Sequence, residues 1–272
     1  MSEVRIVAWA ALTAAGEGAP DAPTFTELDG LPVSRAVHAI RARWPAAPDR
    51  VGRMDRPAAH ALLVAARALD AAGVGPGDDT VVVVGTALGC AEVNERYHRG
   101  LVERGAEGAS PLLFAQTIPS TPAGEAAMAF GLRGHAATVM AGRASGVAAL
   151  AEARRALTLG RCERALVLAG DTVGPDRLRL RAARGQGPCA EATVALVLAR
   201  EGGAAALEEA RVTAGDGGDD ASPDWLGASG LVELVAWLAR GAPGDFAREV
   251  RCASGRAGVL RARGAVVSSA PR

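Results

Sequence analysis

Phe130-Gly131-Leu132-Arg133-Gly134-His135-Ala136-Ala137-Thr138-Val139-Met140-Ala141-Gly142-Arg143-Ala144-Ser145-Gly146-Val147-Ala148-Ala149-Leu150 is the stretch on which the reading of the chain turns. The apolar run Ala136 to Ala141 predicts a short strand, Gly142 a tight turn, and the alanine-rich sequence that continues through Arg155 to Leu159 a helix. Strand, sharp turn and helix lift one side chain to a helix N-terminus. There, backbone N–H groups and the helix dipole lower a thiol pKa or stabilise an anion. The side chain at this turn is Arg143. A guanidinium stays protonated at any accessible pH and has no lone pair with which to attack a carbonyl.

Around this stretch the sequence alternates strands and helices. Val4 to Trp9 predicts a first strand, followed by a Gly/Ala/Pro-rich loop to about Pro23. Asp55 suits an N-cap, Pro57 a first helical turn and Gly73 a stop, which brackets a helix from about Ala58 to Ala72. Thr80 to Gly85 is a β-branched run of the kind covered on both faces, and a charged helix with Glu92, Glu95, Tyr97 and His98 follows. Arg164 to Asp171 and Ala192 to Ala199 predict two more buried strands, so the pattern implies repeated βαβ units and a largely parallel sheet. Beyond Glu201 come a strand near Leu207 to Val212, an acidic Gly-rich loop from Gly215 to Asp220, a helix over Trp225 to Leu238 and a closing hairpin over Val250 to Leu260.

With 272 residues, 49% of them hydrophobic, the chain is long enough for a sizeable core. Thirty acidic residues balance thirty basic ones, all of them arginine, which leaves no electrostatic footprint for nucleic acid. No apolar run approaches the ~18 residues that cross a bilayer, and no basic n-region precedes the first strand, so a cytoplasmic protein is expected. Cys90, Cys162, Cys189 and Cys252 are widely spaced without a Cys-x-x-Cys pair. They read as free thiols rather than as zinc ligands or a disulfide framework, and no metal or cofactor is expected. His38, His60, His98 and His135 have no neighbours that suggest catalysis.

Gly-Leu-Arg-Gly ahead of a strand, with Ser145-Gly146 closing the turn, resembles the nucleophile elbow of the β-ketoacyl synthases, the condensing enzymes of fatty acid and polyketide assembly. In those enzymes a Thr-Ala-Cys-x-Ser-Gly turn carries the nucleophile, and the match places Arg143 on that cysteine. Arg53-Met54-Asp55-Arg56 before a helix belongs to the same resemblance, and Ser110 to Gly134 can be laid on the synthase segment without a gap. The resemblance implies a thiolase-like, layered α-β-α-β-α fold with a shortened C-terminal half. It is expected as one domain over 1–272, with residues 1–203 as the half bearing the elbow and 204–272 as the reduced half.

The resemblance also locates what is missing. Gly227-Ala228-Ser229-Gly230 before an apolar helix is similar to the Gly-His-x-x-Gly-Ala-Ala-Gly motif, with Asp224 at the histidine. No histidine follows residue 135, so the second catalytic histidine has no counterpart either. Arg256 stands at the gating phenylalanine and Ala257 at a glycine of the closing turn. Decarboxylative condensation needs a thiolate, donors for the thioester oxygen and imidazoles. With Arg143, Asp224 and Arg256 as degenerate positions, no catalytic residue is expected. A buried, unpaired Arg143 would cost about 3–5 kcal/mol, so pairing with Asp224, or a pocket open to water, is expected.

The function this implies is a chain-length-factor-like subunit. Such a subunit is non-catalytic, heterodimerises with an active ketosynthase in type II polyketide or aryl-polyene-type biosynthesis, and shapes its acyl tunnel. An acyl carrier protein is a further expected partner. The segment with Leu113, Phe114, Gln116 and Thr117 would reach the partner's pocket, Leu113 and Thr117 sharing one helical face. The strand Ala136, Ala137, Thr138, Val139 and Met140 would pair antiparallel across the dimer, an apolar edge that otherwise invites aggregation. The alternatives are a stand-alone acyl-transfer enzyme using Ser145 or Cys90, and a structural homodimeric scaffold.

Overall fold

The computed structural model describes residues 3–13, 16–17, 54–186, 189–215 and 224–264. The readings at His38, at most of the first loop and at most of the acidic Gly-rich loop lie outside the described residues, while residues 10–13 and 16–17, read as loop, are strand. The elements are β1 (Val4–Thr13), β2 (Gly16–Glu17), α1 (Arg56–Ala71), β3 (Val81–Gly85), α2 (Ala91–Arg104), α3 (Pro111–Phe114), α4 (Thr121–Phe130), β4 (Ala136–Val139), α5 (Ser145–Thr158), β5 (Arg164–Asp171), α6 (Pro175–Ala183), β6 (Ala192–Ala199), β7 (Ala205–Ala214), α7 (Leu231–Ala239), β8 (Asp245–Cys252) and β9 (Arg256–Gly264). Short 3-10 turns occupy Gly105–Gly108 and Leu226–Ala228.

All the described strands belong to one sheet in the order β4-β3-β5-β6-β1-β7-β9-β8, with β2 on β1. Along β3, Val81 and Val83 enter one core while Val82 and Val84 enter the other, as the two-residue period of a strand requires. The core on one face is closed by α1 and α4, with Leu62, Leu69 and Phe130 fully buried. The core on the other face is filled by α5 and α7 and capped by β7, β8 and β9, through Leu150, Leu157, Leu234, Val250 and Leu260. The described residues thus stack helices, five strands, helices and three strands, the last group being the reduced second half.

Strand β1 joins the two parts of the sheet. It pairs with β6 along most of its length and with β7 only through Val4 to Ile6. A bulge between Ile6 and Ala8 shifts its side chains from one core to the other at the junction.

The expectation of a largely parallel sheet is corrected. Only β3–β4 and β3–β5 are parallel, and the pairings of β5–β6, β1–β6, β1–β7, β7–β9 and β8–β9 are antiparallel. A parallel crossover needs a helix laid on the sheet face. Helix α6, between β5 and β6, buries no residue and covers neither face, so the chain turns back beside the strand it has left. The first helix is as read. Asp55 caps it by accepting from Arg56 N–H at 3.1 Å, and Gly73 leaves it at φ +65°.

Candidate functional site: the elbow

The turn between β4 and α5 is held from within. Gly142 takes φ +59°, a conformation that glycine adopts without strain. The Ser145 hydroxyl accepts the Ala141 N–H at 2.9 Å and lies 2.6 Å from the Gly142 carbonyl and 2.9 Å from that of Thr86, one of which takes its proton. It is 0% exposed, and its hydrogen bonds are those of a turn-forming residue. Cys90, the other alternative, is also buried. Burial pushes its thiol pKa up, away from the thiolate that acyl transfer needs.

Arg143 projects from the turn onto groups from the C-terminal part of the chain. Its Nε lies 3.2 Å from Asp224 Oδ1, and its Nη1 donates to the Arg251 carbonyl of β8 at 3.3 Å. The Nε–Oδ1 contact is an ion pair by distance, but Nε is not aligned to make it a hydrogen bond. Arg181, from the last turn of α6, donates to Asp224 Oδ2 at 2.7 Å, and Leu226 N–H donates to Oδ1 at 3.0 Å. The expected pairing of Arg143 with Asp224 is therefore present, with a second arginine on the same carboxylate. Arg256 is exposed at the start of β9. Next to the turn stands Cys252, whose thiol lies 3.6 Å from the Ala141 carbonyl.

Beneath the elbow is a carboxylate that motif reading missed. Asp171, at the end of β5, is 3% exposed. It accepts from Thr86 Oγ1 at 2.5 Å, Leu88 N–H at 2.8 Å, Ala87 N–H at 3.0 Å and Gly227 N–H at 2.8 Å. Burial pushes its pKa up and the four donors pull it back. It ties the loop after β3 to the 3-10 turn at Leu226–Ala228. A carboxylate ending an otherwise apolar strand was the available signal. A second buried network joins Arg56 to Glu191 at 2.5 Å and to Glu92 at 3.0 Å, with Glu191 also accepting from Val173 N–H.

The residues expected to meet a partner lie together on one side, but not all as read. Strand β4 ends the sheet and pairs only with β3 among the described residues. Val82 N–H donates to the His135 carbonyl and Thr86 N–H to that of Val139. By alternation, the backbone groups of Ala136, Thr138 and Met140 point to the free edge, while Ala137 and Val139 face β3. Phe114 is 60% and Met140 48% exposed, and Leu112, Ile118 and Met128 are exposed as well. A β-carbon on Gly89 would stand 3.3 Å from Pro119 and 3.4 Å from Met140, which fixes how closely the two segments converge.

The shared helical face of Leu113 and Thr117 is corrected: α3 ends at Phe114, and Thr117 follows in a turn closed by its N–H on the Phe114 carbonyl. Pro119 disfavours helix at the residue before it, so the helix cannot run on. Gln116 is engaged within its own chain, accepting from Asp55 N–H. Under this segment the cavities are small. One of about 20 Å³ is lined by Thr86, Gly89, Pro119 and Asp171, and one of about 10 Å³ by Cys90, Gln116 and Pro122. Each has room for about one water, not for an acyl chain. Among the described residues no group of three or more His, Cys, Asp or Glu side chains could hold a metal, and no helix is long and apolar enough to cross a membrane.

The strand–turn–helix elbow packs against the closing hairpin, with Ala141, Ala144 and Cys252 in one cluster. The pattern of the family described as Beta-ketoacyl synthase, N-terminal domain matches residues 35–187, more than half of the chain, and the chain belongs to that family. Its fold is thiolase-like. It is similar to the ishigamide ketosynthase/chain length factor, with a TM-score of 0.78 and 17% identity over 96% of this chain and 99% of that one. It is also similar to AntDE:AntF, a type II PKS acyl-carrier protein in complex with its ketosynthase, with a TM-score of 0.74 and 13% identity over 97% and 100%. A third similar structure is the ketosynthase ApeO in complex with its chain length factor ApeC from Xenorhabdus doucetiae, with a TM-score of 0.65 and 16% identity over 96% and 99%. Likeness at these identities carries the fold alone. No curated protein matches the chain.

Proposed function

We propose that this chain is a non-catalytic subunit of the chain-length-factor type, which heterodimerises with an active β-ketoacyl synthase and shapes its acyl tunnel. The pathway would be a type II polyketide or aryl-polyene-type one in the cytoplasm, with an acyl carrier protein as a further partner. The observation that carries this reading is Arg143 at the elbow, ion-paired to Asp224, where condensation requires a thiolate beside an imidazole. Among the described residues, His60 lies inside α1, His98 is exposed on α2 and His135 precedes β4.

The free edge of β4 and the apolar side chains beside it supply the docking surface. At the opposite end of the sheet, β8 carries exposed Asp245, Glu249 and Arg251, charges of the kind that discourage strand addition. In this reading residues 204–272 serve as a reduced second half that closes over the elbow. The names of two similar structures, a ketosynthase/chain length factor and a ketosynthase with its chain length factor, support the same role.

The test is co-expression with a ketosynthase that retains its cysteine. A stable 1:1 complex that extends acyl chains, and in which this chain takes no acyl label, is the expected result. A persistent homodimer indifferent to the ketosynthase would instead favour a scaffold, and acyl label on this chain would favour an enzyme.

A further inference from the structure

We propose that α6 is a flap beside the elbow, tied at both ends by ion pairs, and that it swings away from Asp224 while the sheet it adjoins stays folded. None of its residues is buried, although it connects two buried strands, β5 and β6. Among the described residues its contact with a core cluster is Leu178, half-buried beside Val173 and Leu226, and Leu180 is 39% exposed. A segment with so few buried apolar contacts opens at far lower cost than the strands around it. The chain on either side suits such a movement. Before the helix, Val173 is fixed by its N–H, which donates to Glu191 at 2.7 Å, and after it Gly185 leaves at φ +65°. A few residues at the ends of an element are enough for a hinge.

Charge ties the flap at each end. Arg99 of α2 pairs with Asp176 in the first turn of α6, and Arg181 in the last turn donates to Asp224 Oδ2 at 2.7 Å. The surroundings of the two ties differ. Arg99 and Asp176 are 52% and 42% exposed and lie within reach of salt, whereas Arg181 and Asp224 are 15% and 18% exposed and are screened less. Through the second tie the flap reaches the elbow, because Asp224 is also the carboxylate that faces Arg143. Asp224 itself stays with the body of the chain: its carbonyl accepts from Ala190 N–H at 2.9 Å and its Oδ1 from Leu226 N–H at 3.0 Å. Lifting α6 thus uncovers one side of Asp224, and the 3-10 turn at Leu226 on which Leu178 rests. This proposal does not depend on what docks at β4, and its test can fail while the subunit reading stands.

The test is amide hydrogen exchange of the full chain, read residue by residue by NMR. The amides of residues 179–184 are expected to exchange at least about 100-fold faster than those of β5 and β6, and the Leu226 N–H, under the flap, at a rate that moves with theirs. Arg99→Gln, an exposed change outside both cores, is expected to speed the α6 amides and Leu226 about threefold, as the loss of one exposed ion pair should, and to leave β5 and β6 as they were. Raising the salt from about 0.05 to 1 M should have the same effect on the wild type, relative to β5 and β6, and should add little to the variant. Protection of α6 equal to that of β5 and β6, or an effect of Arg99→Gln that is absent or spread evenly over the sheet, would overturn the proposal. So would fast α6 amides beside a Leu226 N–H as slow as the sheet, the sign of a helix that frays in place without leaving Asp224. If Arg99→Gln does not accumulate as folded protein, the salt series on the wild type decides by the same comparison.

Discussion

Gly146, in the first turn of α5, lies so close to the Gly227 carbonyl that a β-carbon on it would stand 2.7 Å from that oxygen. The helix that begins at the elbow can therefore reach the C-terminal part of the chain only with a bare backbone. Gly146→Ala is expected to push the two segments apart and to cost about 1–3 kcal/mol, as overpacking does in a close-packed core. Thermal denaturation measures this, and an unchanged midpoint would remove the close approach from the account.

Asp171 is the second tie between the same parts of the chain. Asp171→Ala would leave the N–H groups of Ala87, Leu88 and Gly227 without their acceptor in a buried site. The expected loss is about 3–5 kcal/mol, since each stranded donor loses a partner that water does not replace. Asp171→Asn should recover little of it, because its amide nitrogen cannot accept. Chemical denaturation of both variants would show whether shape or acceptor capacity matters at this position.

At β4 the free edge carries the backbone groups of Ala136, Thr138 and Met140. Met140→Glu places a charge on this edge at a half-exposed position, and so should shift the stability of the isolated chain by no more than about 0.5 kcal/mol. It is expected to abolish co-purification with the ketosynthase partner, as read by size-exclusion chromatography. Retention of the complex would move the interface elsewhere.

A cysteine at the elbow is not expected by itself to give condensation. Arg143→Cys would place a thiol at the elbow, and no histidine follows it in the sequence to serve as its base. No turnover with acyl and malonyl thioesters is expected, and activity of this variant alone would show that a general base had been overlooked.

The buried thiols give the stability a pH dependence. Burial raises the pKa of Cys90, Cys162 and Cys189 above the ordinary value of 9.0. The unfolded chain therefore loses these protons first. The contribution to stability is fully present below the unfolded pKa and is lost as pH rises through the folded ones. Denaturation midpoints should fall between neutral pH and about pH 10, and less so when the three are replaced by alanine or serine. A thiol reagent at pH 8 should label none of the three until denaturant is added; rapid labelling of the native protein would contradict their burial.

Much of this architecture was legible in the residues themselves. The strands Arg164–Asp171 and Ala192–Ala199 have the bounds that their apolar runs announce, and Asp55 and Gly73 bracket α1 as a cap and a stop should. Such features depend on neighbours a few positions away, which propensity and periodicity capture. The elbow and its arginine were legible through the resemblance to a family motif, and the likeness of Gly227-Ala228-Ser229-Gly230 to a second motif made Asp224 the candidate partner of Arg143, with a pocket open to water as the alternative.

What tertiary structure alone decided is where the chain returns. Arg181, the Arg251 carbonyl and Asp171 reach the elbow from distant positions, and nothing local to them indicates the charge or the donor they will meet. The same holds for the direction of β6, set by a helix that lies off the sheet face, and for the end of α3 at Phe114, which parts Leu113 from Thr117. Local chemistry chose the elements. The pairing of buried charges and donors depends on packing between segments remote in sequence, and only the folded chain brings those together.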